Sequence, residues 1–323
     1  MDEAIGRLSR ARVLVVGDAM LDHYVFGRVA RVSPEAPVPV LAVIREMSEP
    51  GGAGNVVHNL CALGAAVAFV SVIGDDNAGG ELTGLIGGQR GVEPWLLVQG
   101  GRVTTLKTRF VAVGNRRGGQ HMLRTDREDS RPIHPKLADR LKRISREAMA
   151  ATSLVVLSDY RKGVLAGDVP ATLIAAAHEA GRRVVVDLRA PDWARYAGAD
   201  VMMPHARDVL GEDEAEAGLA GLDEAAAALC AAHGFGAMLI KCGQDGFRLV
   251  TADGAEHLGL LPPDPVDLSG AGDAAVATVA AALATGADLR MAARLAAAAA
   301  GAVGATPGSA MASAQTIQAA LGA

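Results

Sequence analysis

The stretch "VDLSGAGDAAVATVAAALATG" puts a tight turn, Ser269 to Gly272, and a carboxylate, Asp273, at the entry to a long run of small residues. A helix N-terminus carries unpaired N–H groups and roughly half a positive charge. Gly270, Ala271 and Gly272 could therefore cradle an anion such as a phosphate. A carboxylate beside that anion would be repelled unless its task is to accept a proton there. The same residues also suit a plain turn and N-cap. Other chemistry-bearing residues close short apolar runs: Asp18 after "VLVVG", Asp159 after "LVVLS", Asp187 after "VVV" and Lys241 after "MLI". Asp22 follows Asp18 by four positions, and Asn55 follows "GGAG", where it suits a helix N-cap. Lys107, Arg109, Arg116, Arg117 and Arg124 gather in one polar region. Arginine suits two-point recognition of phosphate, although Arg116 and Arg117 read as a solvated loop.

The elements that must position these residues alternate. Apolar runs such as "ARVLVVG", "AVAFVSVIG", "SLVVLSD" and "RRVVVDL" read as buried strands, and "PKLADRLKRISREAMAA" and "VPATLIAAAHEAG" as helices between them. That alternation predicts an α/β fold with a central, mostly parallel sheet and helices on both faces. Ligands in such folds bind beyond the carboxyl ends of the strands, where the polar residues fall. Residues 23–47 and 100–126 are β-like but rich in proline or charge, which suits a small β flap outside the main sheet. One domain, 1–323, is expected.

Composition narrows the function. Half of the 323 residues are hydrophobic and the formal net charge is −5, which argues against nucleic acid as the main partner. The three cysteines, Cys61, Cys230 and Cys242, show no metal-site spacing and read as buried, reduced thiols of a cytoplasmic protein. The greasy "AARLAAAAAGAVGA" is too short to span a membrane and reads as a buried helix.

In order along the chain, "GDAMLDHY", "GGAGNVVHNLCALG", "IGDD", "KCGQDG" and "DLSGAGDA" resemble the ribokinase, or PfkB, family of sugar kinases. Within it, "RVSPEAPVPV", "LSDYRKG" and "KTR…QHMLRTDRE" resemble the branch acting on D-glycero-β-D-manno-heptose 7-phosphate. The resemblance covers nearly the whole chain and implies a ribokinase-like fold. It implies transfer of the γ-phosphoryl group of ATP, with Mg²⁺, to the anomeric 1-hydroxyl. Asp273 would be the general base and Gly270–Gly272 the anion hole. Asp18, Asp22, Gly51, Gly52 and Asn55 would contact the sugar, and Lys107, Arg109 and Arg124 its phosphate. His205, Asp208, Lys241, Gly243 and Gly246 would serve the nucleotide. No direct protein ligand to the metal is expected, with Asp208 acting through water. Ala296 to Gly301 suit an adenine wall or plain core.

Three departures stand out. The family's usual Asn-x-x-Glu is His205-Ala206-Arg207-Asp208, its Asp-Pro-Lys is Asp187-Leu188-Arg189, and its Thr-Gly-Ala-Gly-Asp-Thr ends in Ala274. They leave open a kinase for another sugar phosphate, or a catalytically weak sugar-phosphate-binding homologue. The apolar residues Val38, Val40, Leu41 and Val43 predict a homodimer joined through the flap. These 323 residues leave no stretch for a nucleotidyltransferase domain, so that step is expected from a separate protein or from a partner domain of a longer native chain.

Overall fold

The computed structural model describes residues 1–114, 119–189, 192–262, 265–306 and 310–322; Arg116 and Arg117 lie outside them. The strands are β1 (Arg12–Gly17), β2 (Ala19–Val32), β3 (Pro39–Gly52), β4 (Ala66–Gly74), β5 (Val92–Gln99), β6 (Leu106–Ala112), β7 (Gln120–Arg127), β8 (Leu154–Asp159), β9 (Arg183–Leu188), β10 (Val201–Met202), β11 (Ala237–Lys241), β12 (Phe247–Thr251) and β13 (Gly254–Leu258). The helices are α1 (Asp2–Arg7), α2 (Ala53–Ala62), α3 (Asn77–Gly87), α4 (Pro135–Met149), α5 (Val169–Glu179), α6 (Ala206–Leu210), α7 (Glu212–Ala217), α8 (Leu222–His233), α9 (Ala271–Ala284), α10 (Leu289–Gly304) and α11 (Ala314–Gly322).

Nine strands form one sheet in the order β13-β12-β11-β10-β9-β8-β1-β4-β5. All its pairings are parallel except β11 with β12 and β12 with β13. β12 and β13 form the tight hairpin that Asp253-Gly254 signals, but its turn residues are Ala252 and Asp253, and Gly254 is already paired with Thr251. Strand side chains alternate between faces, and β1 shows the consequence. Val13 and Val15 enter a core shared with α2, α3, α9, α10 and α11. Leu14 and Val16 enter a second core with α4, α5 and α8. The ribokinase-like architecture is thus a sheet buried on both faces, which explains its near-continuous apolar strands.

The first core is made of small side chains, so its helices approach closely. Ala296 to Ala300 are buried within it. A Cβ on Gly301 would run into the backbone of Leu261. This segment is therefore core, and the adenine-wall reading has no exposed alanine surface to rest on. Among the described residues, no helix is long and apolar enough to cross a membrane. The three cysteines are free and half-buried, less enclosed than their sequence context suggested.

A second sheet of four strands, β3-β2-β6-β7, stands outside the first. Its segments leave β1 and return to α2, so it overhangs the carboxyl end of the main sheet. Its register sets Asp22 beside Lys107 and Glu49, and Tyr24 beside Arg109, which in turn pairs with Arg124. Alternation then sends all six toward the main sheet.

Candidate active site

Between the two sheets lies a cavity of about 470 Å³. Asp22, Tyr24, Glu49, Lys107, Arg109 and Arg124 form its outer wall. The floor carries Asn55, Tyr160, Lys162, Arg189, His205 and Arg207, with Gly270, Gly272 and Asp273 at the mouth of α9. The topology explains the gathering: Tyr160 and Arg189 directly follow β8 and β9, and His205 bridges to Lys241 at the end of β11.

Asp273 is held by two donors. Asn55 Nδ2 donates to its Oδ2 at 2.6 Å, and the Tyr160 hydroxyl donates to its Oδ1 at 2.5 Å. Burial pushes the Asp273 carboxyl above the usual carboxylate range, and neighbouring Asp187 adds to the push. The two hydrogen bonds and Lys241 pull the other way. Asn55 is the third residue of α2, whose N-cap is Gly52, so it caps nothing. Its amide faces the carboxylate of a residue 218 positions away.

The turn before α9 offers less than the sequence implied. Gly270 takes φ 78°, a left-handed conformation that favours glycine. The N–H of Ala271 donates to the carbonyl oxygen of Leu268 at 3.1 Å, and Ala271 does not line the cavity. Gly270 and Gly272 do line it, and their N–H groups have no acceptor among the described residues. The turn therefore leaves the N–H groups of Gly270 and Gly272 open toward the cavity, and not that of Ala271.

Asp18 also needs correction. It is buried and does not line the cavity. Its Oδ2 accepts the N–H groups of Tyr160 at 2.8 Å and Lys162 at 2.9 Å, and its Oδ1 that of Val164 at 3.0 Å. It organises a loop and leaves no oxygen facing a sugar. Gly51 is likewise off the cavity; a Cβ there would strike the Asp22 carboxylate. Gly52 does line it, at φ 57°, and a Cβ would come within 2.6 Å of the Asp18 carbonyl oxygen. Both glycines make room for the protein's own chain.

The expected nucleotide residues divide as well. His205 lines the cavity, and burial, then Lys241, Arg189 and Arg207, push its imidazole down to about 2. It is thus neutral, and its buried Nε2 has no partner among the described residues. Asp208 accepts the N–H of His205 at 2.9 Å, closing the first turn of α6, and does not line the cavity. Lys241 is buried in an ion pair with Asp187. Gly243 and Gly246 form the turn between β11 and β12, where a Cβ on Gly246 would strike the carbonyl of Leu258. None of these last three lines the cavity.

Two further cations were not among the expected site residues. Arg189 stands with its guanidinium 5.4 Å from the Tyr160 ring centre, and its buried Nε has no partner among the described residues. Arg207 lines the same floor. The unpartnered Arg189 Nε, the His205 Nε2 and the open α9 turn fit the oxygens of a polyphosphate. Among the described residues, no group of three or more His, Cys, Asp or Glu could hold a metal ion.

On the outer wall, Arg109 pairs with Asp22 at 2.5 Å and Arg124 with Asp126 at 2.9 Å. Lys107 makes no hydrogen bond or ion pair with any described residue, and burial pulls its ammonium below its usual range. Tyr160 and Arg189 could have been found from the strand-end rule, since each directly follows a strand. Tyr24 follows from its spacing of two from Asp22 along β2.

Residues 10–316 match the model of the pfkB family of carbohydrate kinases. The chain is 54% identical over 296 residues to the "Bifunctional protein HldE" of Acidiphilium cryptum, covering 90% of this chain and 59% of that protein. It spans about three fifths of the length of the curated relatives it matches. Escherichia coli phosphofructokinase-2, solved with potassium, superposes with a TM-score of 0.75 at 18% identity, covering 97% of this chain and 98% of that one. Arabidopsis thaliana ribokinase, solved with ribose and ATP, gives 0.71 at 20%, covering 96% and 98%. The two solved structures share the fold, and the family match extends from β1 into α11: the chain belongs to the pfkB family of carbohydrate kinases.

Proposed function

We propose that this chain transfers the γ-phosphoryl group of ATP to the anomeric 1-hydroxyl of D-glycero-β-D-manno-heptose 7-phosphate, giving the 1,7-bisphosphate. The observation that carries the reading is the Asp273 carboxylate, fixed by two donors beside the open N-terminus of α9 and facing a cationic wall. The sugar hydroxyl attacks the γ-phosphorus and its proton passes to Asp273 as the new P–O bond forms. The bond between the γ-phosphorus and the bridging oxygen breaks, and ADP leaves. Gly270 and Gly272 donate to the phosphoryl oxygens, and Arg189 adds positive charge where negative charge gathers. Magnesium, when bound with ATP, neutralises phosphate charge, and Asp208 could reach it only through water.

Asp22 and the ring of Tyr24 would orient the sugar, and Lys107 and Arg124 would meet its 7-phosphate. The wall argues for a phosphorylated sugar, since the Lys107 ammonium makes no close ion pair with a described residue and the Asp22 and Asp126 carboxylates, already paired with Arg109 and Arg124, act on it only at longer range. The flap would join two copies of the chain, and the product would pass to a nucleotidyl-transfer reaction.

The test is ADP release with Mg-ATP and the heptose 7-phosphate, beside unphosphorylated heptose, fructose 6-phosphate and ribose. Selective turnover of the heptose phosphate is expected. Selective turnover of another sugar would discard the substrate, and binding of sugar phosphate without any turnover would favour a binding homologue.

A further inference from the structure

We propose that Tyr160 is a positioning residue: its hydroxyl holds the Asp273 carboxylate in the orientation from which it takes the proton of the attacking hydroxyl. The inference rests on the reading of Asp273 as the base. No motif assigned Tyr160 to the site; the geometry of the loop that carries it does.

That loop follows β8, and its amides alternate between two buried carboxylates. The N–H groups of Tyr160, Lys162 and Val164 go to Asp18. The N–H of Arg161, between them, goes to Asp159 Oδ1 at 2.7 Å. Asp159 is itself held by the Tyr196 hydroxyl. Arg161 takes φ 59°, among the described residues the only non-glycine at positive φ. Such a conformation is costly for a non-glycine residue and persists only where the surroundings over-determine it. A strained residue next to a side chain on the reactive carboxylate is a reason to look for function there.

The clamp fixes where the Tyr160 ring can lie. One side of the ring meets Arg189, and its hydroxyl reaches Asp273 Oδ1 while Asn55 takes Oδ2. Each carboxylate oxygen then has one donor. A carboxylate offers about four lone-pair sites, so room remains for the substrate hydroxyl. Burial, then the charges of Asp273 and Asp187, push the Tyr160 phenol well above its usual value. It therefore stays protonated and acts as a donor, never as the base. The groups facing Asp273 are Tyr160 from this loop, Asn55 from α2, Asp187 and Arg189 from β9 and its end, and Lys241 from β11.

The experiment compares pH–rate profiles of the whole chain with wild-type Tyr160, with Tyr160→Phe, and with 3-fluorotyrosine at position 160, a stronger donor of nearly the same shape. A lost hydrogen bond to the ionised carboxylate raises the pKa of the base. Tyr160→Phe should therefore move the acid limb of kcat up by about one pH unit and lower kcat about tenfold. KM for ATP and for the sugar phosphate should stay within about twofold. Fluorotyrosine should move the limb down. An unmoved limb in Tyr160→Phe, or a loss confined to KM, overturns the proposal. If Tyr160→Phe does not fold, an unmoved limb in the fluorotyrosine protein overturns it. Near-normal turnover by Asp273→Asn would instead remove the base itself, so the two failures are distinguishable.

Discussion

Replacing Gly270 with alanine separates the fold's need for this turn from the site's need. Gly270 sits at φ 78°, where an alanine costs roughly 1–2 kcal/mol. The loss of a flexible glycine from the unfolded chain returns about 0.4–1 kcal/mol, leaving a net cost near 1 kcal/mol. At about 2.1 cal/mol/K per residue, the 323-residue chain has an unfolding entropy near 0.7 kcal/mol/K. The melting temperature should therefore fall by only about 1–2 °C. The effect on turnover is larger. The new Cβ would lie 3.3 Å from Asn55 Nδ2, tight enough to displace it. That nitrogen is already only 2.6 Å from Asp273 Oδ2. The substitution disturbs the base and the anion cradle together, and the loss of one such donor typically costs about 10²–10³ in kcat. Thermal melts and ADP release at saturating Mg-ATP and sugar phosphate measure both quantities. A kcat within about threefold of wild type would refute the assignment of this turn to the reacting phosphoryl group. A fall in melting temperature beyond about 10 °C would show that the turn serves the fold.

Lys107→Met keeps the side-chain stem and removes the one outer-wall cation singled out here as unpaired; KM for the phosphorylated sugar should rise about tenfold or more with kcat little changed. An equal loss with an unphosphorylated sugar would contradict a phosphate contact. Burial, then neighbouring Asp159, push Asp18 up to about 7. Between about pH 4, where an unfolded Asp titrates, and about pH 7, the folded chain therefore holds a proton that the unfolded chain has released. The contribution of Asp18 to stability is full below that window and lost as pH rises through it. The unfolding free energy of wild type minus that of Asp18→Asn should fall between about pH 4 and 7, and a flat or rising difference there would contradict the burial argument. The flap exposes Val38, Val43, Ile44 and Leu123. Light scattering at micromolar concentration should give twice the 32.9 kDa chain mass, and a monodisperse monomer would rule out pairing through the flap.

The fold was legible because strand and helix runs alternate from residue 135 onward and several strands end at or just before a polar residue, as β1 does before Asp18, β8 at Asp159 and β11 at Lys241. Asp273 and the flap cations were legible for the same reason: glycine turns and charge clusters are local signals. What the strand-end rule does not tell is which way a carboxylate turns. Asp18 and Asp22 sit four residues apart, yet one faces the loop after β8 and the other the cavity. The partners of Asp18 lie more than 140 positions along the chain, beyond any local pattern. Asn55 was read as a sugar contact or a cap; its contact with Asp273 exists only because α2 packs beside α9. Lys241 looked available to a phosphate because nothing in the sequence pairs it with Asp187, which the parallel sheet brings close.

The measurement that bears most directly on the central claim is magnesium-dependent ADP release by Asp273→Asn beside wild type, at saturating ATP and sugar phosphate. Asparagine keeps the shape and one accepting oxygen, replaces the other acceptor with a donor, and accepts no proton at working pH. The account predicts a loss of at least about 10²-fold in kcat with ATP binding retained. Near-normal turnover would contradict it, and would leave the turn before α9 as a phosphate cradle without its base.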